Sequence, residues 1–211
     1  DYDKFDLAIY ATMDYSLNKE FILEAGGRFD YTYMDVFKYY KTSLWNSRGY
    51  NFLFDDLIVN ELTNQILINS KRNFKNFSAT IGMSYDFKNN NKILFNYTLA
   101  SRIPNPAELY SEGLHHSSAR IEVGDLRFNS ELGHKLTFSY MQNNKKFKFL
   151  LNPFVNFAKD FILIEPSKIE QTIRGIFQVW EYKQTDAQLS GIDFDLTYFL
   201  NEYFSFKNQT S

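Results

Sequence analysis

Residues 100–131, ASRIPNPAELYSEGLHHSSARIEVGDLRFNSE, form the stretch that decides how the fold of this chain is interpreted. It holds two prolines within three residues, a histidine pair, five acids and three arginines. Pro104 and Pro106 restrict the backbone and push the residues before them towards extended conformations. Loops of this length without repeats are usually functional or disordered. We expect an ordered loop with one helical turn over 107–113, ended by Gly113.

Segments of alternating apolar and polar residues flank this stretch on both sides. A period of two is typical of strands with one apolar face. We also expect a bulge at Gly191, where the apolar parity shifts, and a bend or close backbone contact at Gly26 and Gly27. The pattern predicts an eighth strand that begins near Tyr203, after seven complete strands over 3–17, 21–37, 76–87, 92–101, 132–142, 147–164 and 176–200.

The connections between these strands alternate between short turns and long loops. The long loops cover 38–74, 102–131 and 165–175. Within 38–74 the sequence leaves two possibilities open, a short helix capped by Asp55 and Asp56 or a β excursion. Sorting of connections by length is typical of a transmembrane β-barrel with periplasmic turns and extracellular loops. The short turns lie at 18–20, 88–91, 143–146 and 201–202.

The composition agrees with β structure and narrows the possible functions. Aromatic residues make up 18%, with 22 Phe and 15 Tyr, which favours strands. The net charge of −2 gives no reason to expect nucleic acid as a partner, and the absence of cysteine excludes disulfides and thiolate metal sites. No run approaches about 18 apolar residues, so no transmembrane helix is expected. Local enzyme motifs are absent, and we therefore expect no catalytic site and no cofactor.

Two blocks of the sequence resemble the barrel of TonB-dependent outer-membrane receptors. The first comprises SRIPNPAELYSEGLHH, then ARIEVGD and NSE; the second comprises NPFVNFAKDFILIEP, then YKQTDAQLSGIDFDL. The order and spacing of both blocks make the resemblance specific, and it covers nearly the whole chain. The matching positions are Arg102, Pro104, Glu108, Leu109, Tyr110, Gly113, His115, Glu122, Gly124, Asp125, Glu131, Tyr182, Gln184, Asp186, Ala187 and Gly191.

The resemblance implies an all-β fold, an antiparallel meander of about 8 long transmembrane strands within a barrel of roughly 22. Residues 1–211 would then be a partial barrel domain, truncated at both ends and without the plug. We expect such a piece to aggregate when made alone, because open sheet edges are not viable in lipid. Loops 38–74, 102–131 and 165–186 would form part of the extracellular vestibule.

The function that the resemblance implies is active import of a scarce nutrient across the Gram-negative outer membrane. Its partners would be outer-membrane lipid, the TonB complex acting through the plug, and a small-molecule ligand such as a siderophore, haem or a metal ion. Two other classes stay open on the residues alone. One is a plugless channel or adhesin barrel, and the other is a soluble β-sandwich that binds a ligand.

The candidate ligand-binding residues lie in the long central loop. His115 and His116 could contact a metal or a metal chelate, but adjacent residues cannot both face one ion unless the backbone bends. With no third ligand evident, we assign no metal site. The charges at the strand–loop border could face a ligand or could stiffen the loops as a salt-bridged network, and the second interpretation is favoured. The candidates are Arg102, Glu108, Tyr110, His115, His116, Glu122 and Asp125.

Overall fold

A computed structural model describes residues 2–87, 90–115 and 118–211, and strands dominate it. The helices are short: α1 Thr42–Ser47, α2 Tyr50–Leu53 and α3 Pro106–Tyr110, with one 3-10 turn over Asp55–Leu57. No helix among the described residues is long and apolar enough to cross a membrane. The strands are β1 Tyr2–Ser16, β2 Phe21–Lys41, β3 Ile58–Leu62, β4 Gln65–Phe87, β5 Asn91–Arg102, β6 Glu112–His115, β7 Arg120–Val123, β8 Glu131–Asn143, β9 Phe147–Thr172, β10 Gly175–Phe199 and β11 Ser205–Thr210.

Seven long strands and the short β11 form one sheet in the order β1-β2-β4-β5-β8-β9-β10-β11, and every pair of neighbours is antiparallel. The predicted all-β meander is therefore confirmed. Short β3 adds to β4, and the β6–β7 hairpin joins β10 through a parallel pair, which makes the sheet mixed. A β-sandwich would need two sheets packed face to face, whereas these strands belong to a single sheet.

The loop predicted at 165–175 is wrong, because strands occupy this region. Only Ile173 and Arg174 separate β9 from β10, and β9 continues eight residues beyond its predicted end, whereas β10 lies within one residue of the predicted bounds. Two register shifts, between Gln178 and Trp180 and between Thr185 and Ala187, break the alternation on which the prediction depended. Pro166 also argues against a strand at the level of sequence, although a proline is tolerated where a strand has a free edge.

The connection at 38–74 is shorter than predicted, since β2 continues to Lys41 and β4 begins at Gln65. Of the two possibilities left open by the sequence, the β excursion occurs, as β3. Asp55 and Asp56 lie within a single 3-10 turn whose start no described side chain caps, and β3 rather than a helix follows them. The helical turn expected in the central loop is also present, as α3. It ends at Tyr110, and Gly113 instead lies within β6 with a positive φ of 133°.

The bulge predicted at Gly191 is wrong. Gly191 pairs regularly with Phe154, and a Cβ there would lie 2.9 Å from the Phe154 ring. The glycine therefore makes room for the Phe154 ring on the polar face of the sheet. An aromatic ring on this face breaks the apolar pattern although the strand has no bulge there. The close backbone contact expected at Gly26 does not occur among the described residues. The nearest atom to a Cβ there would be the Thr80 side-chain methyl group at 3.2 Å, the nearest backbone atom would be the Ala11 carbonyl oxygen at an ordinary 3.6 Å, and the pairing with β1 and β4 stays regular.

The two faces of the sheet differ in polarity over the lower half of the strands, the half that ends in the short turns. Phe29 of β2 pairs with Ile9 of β1 and Phe77 of β4, and all three side chains are exposed on one face. The opposite face carries charged and polar groups such as Glu24 and Arg28. A continuous exposed apolar band thus covers one side of the sheet.

The polarity of these faces inverts in the upper half. Met34, Val36 and Tyr40 continue the face of Arg28 along β2, yet they are buried and apolar. The helices and the central loop cover them and create one hydrophobic cluster, which we name the loop core. Its buried members are Met34, Val36, Tyr40, Trp45, Tyr50, Ile66, Ile68, Leu109, Tyr110, Leu126, Phe128 and Ile162.

Candidate functional site

Arg102 binds the central loop to the strand ends. It is the first of the positions that resemble the receptor family. Its Nε and Nη2 donate to the two oxygens of Glu131, each at 2.6 Å, and its Nη1 donates to both oxygens of Glu108 at 3.1 Å. Glu131 also accepts from the backbone N–H of Ile162 at 2.6 Å. One planar guanidinium therefore joins β5, α3, β8 and β9, which a lysine could not do with the same geometry.

Helix α3 owes its position to a capping box. The Asn105 side chain accepts from the Glu108 N–H at 2.9 Å, and a Glu108 oxygen accepts from the Asn105 N–H at 2.8 Å. Pro106 at the first helical position fixes φ without the loss of a needed donor. Glu108 thus both caps its own helix and binds Arg102, and this explains why its carboxylate is buried.

Asp125 links the central loop to α2. Its Oδ1 accepts from the Tyr50 hydroxyl at 2.9 Å and from Arg127 Nε at 2.9 Å, while its N–H donates to the Glu108 carbonyl at 2.9 Å. Burial raises the pKa of Asp125, but the hydrogen bonds from Arg127 and Tyr50 outweigh burial, and the pKa lies below its ordinary value. The carboxylate therefore stays ionised and stabilises the packed loops.

Glu122 and Tyr110 are also bound within the protein. Glu122 is buried and accepts from Arg120 Nε at 2.7 Å and from the Tyr182 hydroxyl at 3.4 Å. The Tyr110 hydroxyl lies 2.9 Å from Ser70 Oγ inside the loop core. Like Arg102, Glu108 and Asp125, these residues therefore bind partners within the protein, as expected for charges and polar groups that stiffen the loops.

The histidines occupy a different environment. His115 is exposed at the end of β6, where it pairs across the hairpin with Arg120. His116 lies outside the described residues. No group of three or more His, Cys, Asp or Glu side chains with metal-binding geometry occurs among residues 2–87, 90–115 and 118–211.

Gln184 has a role that sequence reasoning missed. Its amide nitrogen donates to the Asn129 carbonyl at 2.9 Å and to the Asp160 carbonyl at 2.8 Å, and its oxygen accepts from the Asn129 N–H at 3.1 Å. Asp160 has a φ of 57°, and its N–H donates to the Asp186 side chain at 3.0 Å. The motif residues Gln184 and Asp186 therefore hold a left-handed kink in β9 and tie the central loop to it.

A cleft of about 900 Å³ opens between α1, the β6–β7 hairpin and the tip of β9–β10. Its apolar floor consists of Leu44, Leu114, Ile121, Val123 and Val179. Three acids also line it: Glu112, Glu170 and Glu181. Sequence reasoning did not find this cleft, because its walls come from three segments far apart in the chain.

Glu112 is the acid of the cleft whose surroundings are best defined. One carboxylate oxygen accepts from the Lys41 N–H at 3.1 Å, and Oε2 is buried without a hydrogen-bond partner among the described residues. Burial raises the pKa of Glu112 above its ordinary value, although Lys38, Lys41 and Arg48 act in the opposite direction. The site thus contains an incompletely satisfied carboxylate beside an apolar surface.

Long antiparallel strands, one apolar face and packed loops at one end define the wall of a β-barrel with a loop-covered mouth. The family model "TonB dependent receptor-like, beta-barrel" matches residues 1–211, and the chain belongs to that family. No curated protein matches the sequence.

Solved structures of transport receptors share the fold. The copper transporter OprC gives a TM-score of 0.69 at 15% identity, over 96% of this chain and 27% of its own. The Serratia marcescens hemophore receptor HasR, solved with its hemophore HasA and heme, gives 0.67 at 11% identity, over 99% of this chain and 34% of its own.

The ferric yersiniabactin uptake receptor FyuA from Yersinia pestis gives a TM-score of 0.59 at 12% identity, over 95% of this chain and 25% of its own. The chain therefore spans only a part of the length of these relatives. The family and these neighbours are transport receptors and not enzymes.

Proposed function

We propose that this chain is part of the barrel of an outer-membrane importer that takes up a scarce nutrient with energy supplied through TonB. Membership of the receptor family supports this proposal. The structural neighbours carry copper, heme with a hemophore, and ferric yersiniabactin in their names, so the fold alone does not determine the cargo. A metal or metal chelate is the class that agrees with all three.

The observation that carries the proposal is the inversion of polarity along β2 and β4. From Phe21 to about Tyr31 the apolar side chains lie on the exposed face, a length that matches the roughly 9–11 residues of a transmembrane strand. Above this level charges such as Asp35 and Lys71 join the exposed Phe37 and Tyr39 on that face, while the opposite face changes from polar to buried and apolar. A strand that leaves lipid and enters water on the cell surface requires this change.

The candidate residues divide into two proposed roles. We infer that Arg102, Glu108, Tyr110, Glu122 and Asp125 act on ligand binding by fixing the loops. Their polar groups are already engaged within the protein, which supports an indirect effect. His115 and His116 are proposed to contact the ligand, because His115 is exposed at the mouth.

Uptake by cells that carry the full receptor tests this function. Cells would be given radioactive iron, copper or haem, and accumulation would be compared with and without TonB and between the wild type and H115A/H116A. We expect uptake of one cargo to require TonB and to fall in the double variant. Uptake that continues without TonB would indicate a passive channel, and uptake unchanged in H115A/H116A would remove the histidines from the site.

A further inference from the structure

The cleft beside α1 has the size and the lining of a ligand site. Its volume of about 900 Å³ lies within the range of small-molecule pockets, which combine an apolar surface with a few polar groups. The floor is continuous across three strands, since Leu114 of β6 pairs with Ile121 of β7, and Ile121 pairs with Val179 of β10. A ligand with an apolar body could therefore lie flat across this floor.

Two carboxylates flank the same floor in the next row of cross-strand partners whose side chains share its face. Glu112 of β6 pairs with Val123 of β7, and Val123 pairs with Glu181 of β10. Neighbouring strands lie about 4.8 Å apart, so the backbones of the two acids are about 10 Å apart, with an apolar residue between them. Glu170 of β9 lines the cleft as a third acid, and all three are half-buried.

The cations near the cleft do not neutralise these acids by direct pairing. No salt bridge between described residues involves Glu112, Glu170 or Glu181. Arg48 instead donates to the Gly124 carbonyl at 2.6 Å and lies 3.8 Å from Asp125. The other cations that line the cleft, Lys41, Lys168 and Arg174, are exposed residues. The interior of the cleft is therefore acidic and apolar, and its rim is basic.

We propose that this cleft binds an amphipathic metal chelate that carries a protonated amine, with the amine held between Glu112 and Glu181. The proposal rests on the importer function proposed above and specifies the chemical class of its ligand. A turn of the Glu112 carboxylate about its last side-chain bond would bring Oε2 to the amine and give this oxygen the partner it lacks. The apolar part of the chelate would cover Leu114, Ile121 and Val179.

Two probes that differ only in the amine test this proposal. Ferrioxamine B carries a free ammonium group, and N-acetylferrioxamine B has the same iron centre without that charge. Binding to the full receptor in detergent would be followed by quenching of protein fluorescence. We expect the wild type to bind ferrioxamine B about ten-fold more tightly, as for one charge-assisted hydrogen bond. Equal affinity for the two probes, or binding of neither, would overturn the proposal.

Variants of Glu112 and Glu181 test whether the amine binds within the cleft. E112Q/E181Q should lose the preference for ferrioxamine B, and each single variant should reduce it. E202Q is the matched control, because Glu202 is exposed in the short turn at the opposite end of β10 from Glu181. A preference that survives in the double variant would also overturn the proposal. The double variant should still bind N-acetylferrioxamine B with wild-type affinity, which would show that its cleft remains folded.

The outcomes separate this inference from the proposed function. If the receptor imports a cargo in a TonB-dependent way but does not distinguish the two probes, only the inference fails. If it distinguishes the probes through Glu112 and Glu181 but shows no TonB-dependent uptake of any cargo tested, the importer function fails and the amine site remains.

Discussion

At Gly124 the central loop passes so close to α3 that no side chain fits. A Cβ there would lie 2.6 Å from the Glu108 carbonyl oxygen and 2.8 Å from the Leu109 carbonyl carbon. Both are backbone atoms and cannot rotate away. Two backbone hydrogen bonds depend on this approach, from Gly124 N–H to the Ser111 carbonyl at 2.7 Å and from Asp125 N–H to the Glu108 carbonyl at 2.9 Å.

We therefore expect Gly124→Ala to weaken the packing of the central loop by about 1–3 kcal/mol, the usual effect of forcing extra atoms into a packed site. Limited proteolysis of the full receptor would show faster cleavage within 103–130. Gly133→Ala is the control, because a Cβ at Gly133 would be 3.7 Å from its nearest neighbour, an ordinary contact. Equal cleavage of the two variants would contradict the role assigned to Gly124.

Glu112 should make the loop core less stable at neutral pH. Its pKa is raised in the folded protein by burial, so its stabilising contribution is present below the ordinary value of 4.5 and is lost as the pH rises through the raised value. E112Q stays neutral at every pH and keeps an oxygen for the Lys41 N–H. We expect E112Q to slow proteolysis of the loops at pH 7 and to lose this advantage below about pH 4.5. An advantage that is independent of pH would contradict this cause.

Among the elements, α1 depends on one side chain to remain on the sheet. Trp45 is fully buried, and its ring packs against Tyr40 at 5.5 Å and Tyr50 at 5.2 Å between centroids. The strands below have their own hydrogen-bonded ladders, so α1 and α2 can detach without loss of the sheet. This separation distinguishes the stability of the mouth from that of the barrel.

Trp45→Ala should remove about 3–5 kcal/mol from the loop core, as is typical for a buried tryptophan. We expect proteases to cleave within 42–57 while β2 and β4 stay protected. Phe52→Ala is the matched aromatic control, because Phe52 belongs to the same segment but is 86% exposed. If W45A unfolds the strands as well, the loops and the sheet form one cooperative unit.

The elements that could be predicted from the sequence are those whose alternation is local. Period two identified all eight strands of the meander, because the lower half of each has one apolar and one polar face. The upper parts of β4 and β9 and the last four residues of β2 escaped prediction for a physical reason. Loops cover the inner face there, so the polarity inverts, and the kink at Asp160 adds a residue that breaks the period.

The candidate site was predictable to a smaller extent, because its contacts join distant segments. The capping box at Asn105 and Glu108 is a local signal, and the motif around it could be recognised. Nothing near Arg102 in sequence indicates Glu131 as its partner, and Gln184 lies 55 residues from Asn129. The cleft adds a further difficulty, since Glu112 and Glu181 come together only through the parallel pairing of β7 with β10.

On the scale of the whole molecule, the level at which polarity inverts is where the outer membrane should end. On β2, Phe29 and Tyr39 point to the same face and are similarly exposed, at 42% and 51%. They differ in height by ten residues, or about 33 Å along the strand. Phe29 lies between Ile9 and Phe77 in the apolar band, while Tyr39 lies beyond the charged pair Asp35–Lys71 on that face.

Cysteine labelling on intact cells tests this boundary. Residues 1–211 contain no cysteine, so F29C and Y39C can each be introduced into a cysteine-free receptor and treated with a membrane-impermeant maleimide. We expect Y39C to react on whole cells and F29C to react only after the membrane is dissolved and the protein denatured, because lipid covers it. Reaction of both variants on intact cells would show that the apolar band is not in lipid. Protection of both would place the boundary above Tyr39, and the loop core would then lie within the membrane-spanning part of the barrel.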